Sequence, residues 1–242
     1  YTLNELNGLY ANYSVGFTPP NITDLYTGVK VPFLKPSTYN NYELGGWFGF
    51  LKGRGYIELA FYRLDGFNEI VSVRQGDGTY EKQNVGETRH IGIETNLNYS
   101  PVDELYFRAG ATIAHHEYIS YSINGVDLSG KDMSQAPSYI LNSEISFKPK
   151  FINGFRISLE WQSLGKYFTD PQNTAVYDGF NIFNLRTGYK VYDFEVWANC
   201  LNVGAANYAT TVEKSAFGTS FRPGQLRTFN VGINYTLNSK ND

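Results

Sequence analysis

The sequence predicts an all-β protein, a transmembrane antiparallel β-barrel of which about ten strands are present in this chain. The first observation is a strict alternation of apolar and polar residues, which is clearest in the last segment, Thr228–Leu237. Its apolar members are Phe229, Val231, Ile233, Tyr235 and Leu237. Successive side chains of a strand point to opposite faces, so one face is apolar and the other is polar. The second observation is that the connections alternate between short and long, which is typical of transmembrane barrels.

The composition agrees with this fold class and excludes several others. Aromatic residues make up 17% of the 242 residues, with 20 Tyr and 17 Phe, which suits a barrel with aromatic girdles. No run approaches the roughly 20 apolar residues of a spanning helix, which excludes an α-helical membrane protein. The net charge of −3 gives no electrostatic footprint for nucleic acid. The single Cys200 excludes an internal disulfide, and no Cys/His cluster has metal-site spacing.

Ten segments carry the alternation. In chain order they are Leu9–Phe17, Tyr42–Phe50, Ile57–Phe61, Glu87–Tyr99, Leu105–His116, Tyr139–Phe147, Phe155–Gln162, Phe183–Tyr189, Phe194–Cys200 and Thr228–Leu237. The side chains expected to face lipid include Ile93, Leu97, Phe155, Leu159, Trp161, Val231 and Ile233. Those expected to face inward include Glu94, Asn96, Glu160, Asn230 and Asn234. Trp197 and Ile182 fall on the nominally polar face.

The connections distinguish this barrel from a soluble sandwich, whose polar face would be solvated. Tight turns are expected at Gly49–Arg54, Ser100–Glu104, Pro149–Gly154 and Lys190–Asp193. Long loops rich in Gly, Ser, Asn, Asp and Pro are expected at Thr18–Thr38, Arg74–Val85, Ser120–Pro137, Gly165–Gly179 and Ala205–Gly224. A sandwich has no reason to segregate loop length in this way, so the pattern favours the membrane barrel.

Several segments, taken in order, resemble the C-terminal part of a TonB-dependent outer-membrane receptor. They are the strand Leu9–Phe17 with Pro19-Pro20, then Asp24-Leu-Tyr26, Leu34-Lys-Pro36, Tyr42-Glu-Leu-Gly45, Asn84-Val-Gly86 with Gly92-Ile-Glu94, Asn199-Cys-Leu-Asn202 with Tyr208, and Arg222-Pro-Gly-Gln-Leu-Arg-Thr-Phe229. The closing strand also resembles the signal read by the barrel-assembly machinery, with Asn230, Gly232, Tyr235 and Leu237 in the matching positions. It departs from that signal in ending on Leu rather than Phe and in the polar tail Asn238–Asp242.

The resemblance implies a 22-stranded barrel preceded by a plug domain and a TonB-contacting segment. Residues 1–242 would then be a partial transmembrane β-barrel domain without its plug. An open sheet of ten strands would leave two edges in lipid, which the bilayer does not tolerate. Either the sheet closes on itself as a small autonomous barrel, or a missing N-terminal part completes it. The resemblance favours the second, a truncated chain whose N-terminal strand and last strand pair with a missing barrel half. The expected partners are outer-membrane lipid, that missing half with the plug, the TonB complex, the assembly machinery and a small-molecule ligand. The implied location is the bacterial outer membrane.

No catalytic constellation is evident, and neither a cofactor nor a metal site is expected. His115 and His116 are adjacent, but neighbouring strand residues point to opposite faces and cannot chelate jointly. Inward charges on several strands have two interpretations, ion pairing around a lumen plug or a track for a ligand. They are Glu58, Glu94, Glu144, Glu160, Glu195, Arg108, Arg156 and Arg186. Ten-stranded outer-membrane proteases share the strand count, but no pattern of theirs is present, so an enzyme is not expected.

The long loops carry aromatic residues suited to an aromatic or sugar-like ligand, because tyrosine combines a stacking face with a hydroxyl. They are Tyr26, Tyr80, Tyr118, Tyr121, Tyr167, Phe168, Tyr177 and Phe221. The alternative is that such residues form the outer aromatic girdle or pack the loops. The candidate ligand-binding residues are Tyr118, Tyr121, Tyr167, Phe168, Tyr177 and the inward Arg186. By resemblance, the expected function is active import of a scarce solute, and the leading expectation for that solute is a ferric siderophore. The alternatives are a cobalamin, haem or oligosaccharide receptor of the same architecture, or a passive diffusion porin.

Overall fold

The computed structural model describes residues 1–25, 33–74, 80–123, 125–215 and 217–237. The strands of the first half are β1 Thr2–Asn4, β2 Asn7–Thr18, β3 Ser37–Phe50, β4 Gly55–Arg74, β5 Tyr80–Val102, β6 Leu105–Ser120, β7 Ser122–Ile123 and β8 Val126–Asp127. Those of the second half are β9 Tyr139–Phe147, β10 Phe155–Leu164, β11 Tyr167–Phe168, β12 Val176–Tyr177, β13 Phe180–Val191, β14 Phe194–Leu201, β15 Ala209–Ser215, β16 Gly218–Pro223 and β17 Thr228–Tyr235. A helix of four residues, α1 Ile22–Leu25, follows β2.

One antiparallel sheet contains all ten predicted segments. Its order is β1-β2-β3-β4-β5-β6-β9-β10-β13-β14-β17, so neighbours in the sheet are neighbours in the chain once the loop hairpins are set aside. The predicted all-β, sequentially paired architecture is confirmed. The sheet has two edges, one at β1 and β2 and one at β17, so the described residues do not close a barrel. No described helix is long and apolar enough to cross a membrane.

The pairing register puts polar residues together on one face and apolar residues on the other. Asn98, Arg108, Glu144, Glu160 and Asn184 follow one another across five strands. The adjacent row on the opposite face is Tyr99, Phe107, Ile145, Leu159, Leu185, Cys200 and Phe229. The predicted lipid-facing and inward sets therefore alternate as expected from the period of two. Trp197 and Ile182 do lie on the polar face, in register with Gly232 and Gln162.

The apolar face has no second sheet packed on it. Ile93, Trp161 and Val231 are 37%, 38% and 79% exposed, which a sandwich core would not allow. The buried apolar residues of the described chain lie in or beneath the long loops instead. They are Tyr118, Leu128, Tyr167, Ile182 and Ala209. An apolar face without a protein partner is the arrangement that a lipid environment stabilises.

The outward-facing apolar rows together form what we call the apolar belt, and this belt ends before the strands do. Arg63, Asp65 and Arg89 continue the outward rows of β4 and β5, with Asp65 Oδ2 2.9 Å from Arg63 Nε and Asp65 Oδ1 2.7 Å from Arg89 Nε. Charges on this face mark the level at which lipid contact stops, although backbone pairing continues to Arg74↔Tyr80. Most of the loop expected at Arg74–Val85 is therefore strand, and its residues 75–79 lie outside the described residues. Strand pairing does not need the apolar alternation above the belt, so the sequence pattern understated the length of β4.

Short turns and long loops alternate as predicted, but three long loops contain small hairpins of their own. These hairpins are β7–β8, β11–β12 and β15–β16. At the opposite end of the sheet, the short turns are joined by exposed ion pairs. Asp103 lies 3.1 Å from both Arg54 Nη2 and Lys150 Nζ, and Lys150 Nζ lies 3.0 Å from Glu104 Oε1. Hydrogen bonds from Lys150 and Arg54 lower the pKa of Asp103.

Candidate functional site

The polar face of the sheet carries a groove of about 560 Å³ between β4 and β13. It contains a set of cross-strand ion pairs. Arg186 donates to Glu160 through Nε at 2.5 Å and through Nη2 at 3.2 Å, and Asn184 Nδ2 donates to the same carboxylate at 3.1 Å. Arg108 Nη2 lies 2.6 Å from Glu144 Oε2 on the neighbouring strand. The candidate Arg186 is thus one partner of a bidentate pair, with the rest of its half-exposed guanidinium facing the groove.

The charge balance of this face changes along the sheet. On β10 to β17, Arg156 pairs with Glu195 at 2.6 Å, and Asn234 donates to the same carboxylate. On β3 to β5, Glu43, Glu58 and Glu94 border a second groove of about 260 Å³. Tyr10 donates to Glu43, and Tyr56 donates to Glu58 at 3.2 Å. Within the described chain these three carboxylates form no ion pair, so this part of the wall is acidic.

The rings of the candidate residues Tyr118 and Tyr121 contact each other where β6 ends, with centroids 4.5 Å apart and an interplanar angle of 35°. Tyr118 is 7% exposed, and the Tyr121 ring occupies the space that a Cβ at Gly86 would need. Burial raises the pKa of both phenols, and the nearby Glu69 carboxylate adds to the effect. Glu69 itself accepts a hydrogen bond of 2.6 Å from the buried Thr88 hydroxyl. These two rings pack the junction between the sheet and the loop that follows β6.

The candidates Tyr167 and Tyr177 form a second pair, with ring centroids 5.4 Å apart. The Tyr167 hydroxyl accepts the Val212 N–H at 2.8 Å, and the Tyr177 hydroxyl donates to the Ala209 carbonyl at 2.8 Å. Both hydroxyls therefore fasten β15 to the β11–β12 hairpin. Phe168 lies beside them and lines a small cavity of about 210 Å³ together with Asp132 and Lys166. Tyr26 and the side chain of Tyr80 lie outside the described residues.

Three long loops are joined into what we call the loop frame, residues 125–137, 165–179 and 202–225, the last of these without residue 216, which is not among the described residues. Asn173 bonds the backbone of Asp132 twice, accepting its N–H at 3.0 Å and donating to its carbonyl at 2.8 Å. Lys214 Nζ donates to the Thr174 hydroxyl at 2.6 Å. Asp170, 4% exposed, accepts bonds from the Thr174 N–H and hydroxyl and from the Ala175 N–H. Burial opposes the charge of Asp170, but these bonds hold its pKa below the usual range.

The Asn84 side chain joins separate backbone segments by hydrogen bonds, and we call a side chain with this role a latch. The Asn84 side chain accepts the Lys35 N–H at 2.7 Å and donates to the Lys35 carbonyl at 2.8 Å. It also donates to the carbonyl of Asn68, a residue in the left-handed conformation at φ 56°. The motifs Leu34-Lys-Pro36 and Asn84-Val-Gly86 were recognised separately in the sequence. The structure joins them through one amide group.

Asn202 is a second latch of the same kind. Its side chain is 2% exposed, accepts the Ala206 N–H at 2.9 Å, and donates to the carbonyls of Ala206 and Gln225 at 2.9 and 3.0 Å. Tyr208 packs against Gly224, where a Cβ would lie 2.3 Å from the ring. The motif that ends β14 and the motif that leads into β17 therefore hold each other in place.

The histidines occupy positions that the sequence explained only in part. His115 and His116 point to opposite faces, as predicted for neighbours on a strand. His116 is directly opposite His90 of β5, and their Nδ1 atoms are 2.6 Å apart. Sequence reasoning missed this pair, because it depends on the register between two strands. The described residues contain no group of three or more His, Cys, Asp or Glu side chains placed to hold a metal ion.

The four residues assigned to the assembly signal lie at or just beyond the open edge. Gly232 lies beneath the Trp197 ring, where a Cβ would be 2.4 Å from the ring carbons. Tyr235 packs on Phe194 with ring centroids 4.7 Å apart, and Asn230 pairs in register with Asn199. Leu237 follows the strand and is 82% exposed. The tail that begins at Asn238 lies outside the described residues.

The chain is similar to known proteins in both sequence and structure. The family model described as TonB dependent receptor-like, beta-barrel, matches residues 1–207. Among solved structures, the siderophore receptor PiuA from Acinetobacter baumannii is similar over 97% of this chain, with a TM-score of 0.82 and 18% identity. The ferric-catecholate import receptor Fiu from E. coli K12 is similar over 97%, with a TM-score of 0.77 and 21% identity. The ferripyoverdine receptor of Pseudomonas aeruginosa, solved with ferripyoverdine, is similar over 97%, with a TM-score of 0.76 and 21% identity. The chain spans about a third of the length of these receptors, 34%, 34% and 32%.

Proposed function

Because the chain belongs to the family of TonB-dependent receptors, β-barrel proteins of the bacterial outer membrane, we propose that the whole protein binds and actively imports a ferric siderophore. The observation that carries the proposal is the similarity of the entire sheet, with its long loops, to receptors described as binding or importing siderophores and their iron complexes. The family is one of receptors and transporters rather than of enzymes.

The loop frame supports this proposal through its rigidity. Its loops are tied by side-chain to backbone bonds at Asn173, Asp170 and Asn202, so a ligand would meet a preformed surface. A preformed surface loses less conformational entropy on binding than mobile loops do. Tyr167 and Tyr177 would contribute ring faces rather than hydroxyls, because their hydroxyls are engaged in the frame. Phe168, which lines the cavity beside them, is the candidate best placed for direct contact.

The polar face of the sheet, the wall of the proposed lumen, bears on the partners that we propose for this chain. We expect a plug, supplied by a part of the protein that precedes this chain, to lie against this wall and to couple to the TonB complex. The acidic region at Glu43, Glu58 and Glu94 would be paired with cationic groups of that plug, since unpaired carboxylates in a closed lumen are costly. The edges at β2 and β17 would pair with the missing strands of the barrel. The assembly machinery would recognise β17.

Binding of a ferric siderophore to the intact protein tests the ligand. We expect replacement of Tyr121, Tyr167 and Tyr177 together by Ala to weaken binding while the barrel still folds. A second pair of variants separates ring contact from loop support. Phe168→Ala removes a ring without removing a frame bond, and Tyr167→Phe removes a frame bond without removing a ring.

The proposal predicts a larger loss of affinity for Phe168→Ala than for Tyr167→Phe. Unchanged affinity in the triple variant and in Phe168→Ala would remove these loops from the binding site. Binding of cobalamin, haem or an oligosaccharide in place of every siderophore tried would replace the proposed ligand. If none of these ligands binds saturably, the result would favour a passive porin.

A further inference from the structure

His90 and His116 form a pair of converging imidazoles on the polar face of the sheet. They are directly opposed on β5 and β6, and their ring centroids are 4.9 Å apart at an interplanar angle of 65°. The two Nδ1 atoms approach to 2.6 Å, and both rings are half-buried. One proton satisfies this contact, since one nitrogen must accept while the other donates. A metal ion would displace that proton from Nδ1, to Nε2 of the same ring or to solvent, and both Nδ1 lone pairs would then point to one place between the two strands.

This geometry is close to that of a bidentate metal site. Zinc and similar ions bind imidazole nitrogen at about 2.0–2.1 Å, which places two ligands of a tetrahedral ion about 3.3 Å apart. The Nδ1 atoms would have to separate by about 0.7 Å from their 2.6 Å contact, a movement that small rotations of the two side chains supply. The pair supplies two ligands, so water would fill the remaining positions around the ion.

We propose that His90 and His116 bind a divalent transition-metal ion of the Cu²⁺, Ni²⁺ or Zn²⁺ class on the inner face of the barrel. Imidazole suits these ions, and affinity for a given nitrogen site is highest for Cu²⁺. Iron held by a siderophore already has its coordination positions filled by hard ligands, so the ion proposed for this pair is a free ion and not the iron of the siderophore. The inference does not depend on which ligand the loops bind.

His115 supplies a matched control within the same strand. It carries the same side chain one residue from His116 but points to the opposite face, where its Nδ1 lies 3.6 Å from Asp132 Oδ1. Replacement of His115 by Ala removes one imidazole from the protein without touching the pair. A metal ion bound to exposed histidines in general would respond to His115→Ala as it does to the other two variants.

The test is Cu²⁺ binding to the intact receptor in detergent at pH 7.5, followed by calorimetry and by electron paramagnetic resonance. The wild-type protein should show one site whose spectrum carries coupling to two imidazole nitrogens. His90→Ala and His116→Ala should each lower that affinity at least tenfold and reduce the coupling to one nitrogen. His115→Ala should match the wild type. Heat-modifiable migration on gels establishes that each variant is folded, and His90→Asn replaces any Ala variant that is not.

Equal Cu²⁺ affinity in the wild type and the His90 variants would overturn the proposal and leave the two rings as a hydrogen-bonded pair only. An equal loss in His115→Ala would also overturn it, because it would show nonspecific histidine binding. Competition by Zn²⁺ at the same site would support the assigned class of ion. Failure of siderophore binding would leave this result unaffected, since the readout is the metal alone.

Discussion

Replacing Asn202 by Ala should release the connection between β14 and β17. The substitution leaves three backbone groups without their partner, namely the Ala206 N–H, the Ala206 carbonyl and the Gln225 carbonyl. Each unpaired group costs at least about 1 kcal/mol where water reaches it poorly, so the local free energy of opening should fall by about 3 kcal/mol. Asn202 also has φ 50°, a conformation that Asn tolerates better than Ala, which adds to the loss.

A decrease of about 3 kcal/mol corresponds to roughly 100-fold faster amide exchange in a locally opening segment. Hydrogen exchange of the intact protein, read on peptides covering residues 202–225, measures this directly. Asn199→Ala is the matched control, since it removes the same side chain three residues earlier from a position that makes none of these bonds. Exchange in Asn202→Ala as slow as in Asn199→Ala would refute the assignment of Asn202 as a latch.

Three further predictions test other parts of the structure. Asn84→Ala should speed amide exchange at Lys35 by at least tenfold, because it removes both bonds to that residue; an unchanged rate would contradict the first latch. Gly232→Val should lower the thermal stability of the barrel, because its side chain would clash with the Trp197 ring; an unaltered melting temperature would contradict that packing. Its hydrogen bonds lower the pKa of Asp170, so the stabilisation it provides is present above the ordinary aspartate pKa and is lost as pH falls through the lowered value. Compared with Asp170→Ala at each pH, pepsin cleavage within residues 165–179 of the wild type should therefore be slower above the ordinary aspartate pKa and should approach that of the variant as pH falls; an unchanging ratio would contradict the role of the carboxylate.

The sheet could be predicted because a strand with one apolar face must alternate with a period of two. The segment Tyr139–Phe147 was predicted to the residue. The extension of β4 past Phe61 was not, because Arg63 and Asp65 interrupt the apolar face above the belt while backbone pairing continues. The hairpin β15–β16 was also missed, since its exposed residues have no buried face to impose a pattern.

The candidate site was only partly accessible from the sequence. Aromatic composition and loop position identified Tyr167 and Tyr177, but their hydroxyl partners Val212 and Ala209 lie more than 30 residues away. The turn residues of Asp170-Pro-Gln-Asn-Thr174 did carry a local signal for a side-chain-stabilised turn. The pair of His90 and His116 required the register of β5 against β6, which alternation within a single strand does not determine.

Uptake of a radiolabelled ferric siderophore by cells tests the central proposal most directly. The cells would carry the complete gene that encodes this segment as their only receptor for that siderophore, in strains with and without a functional TonB complex. We expect saturable accumulation of iron in the energised strain, and surface binding without accumulation in the strain that lacks TonB. Equal accumulation in both strains would indicate passive diffusion, and no binding in either would contradict a siderophore receptor.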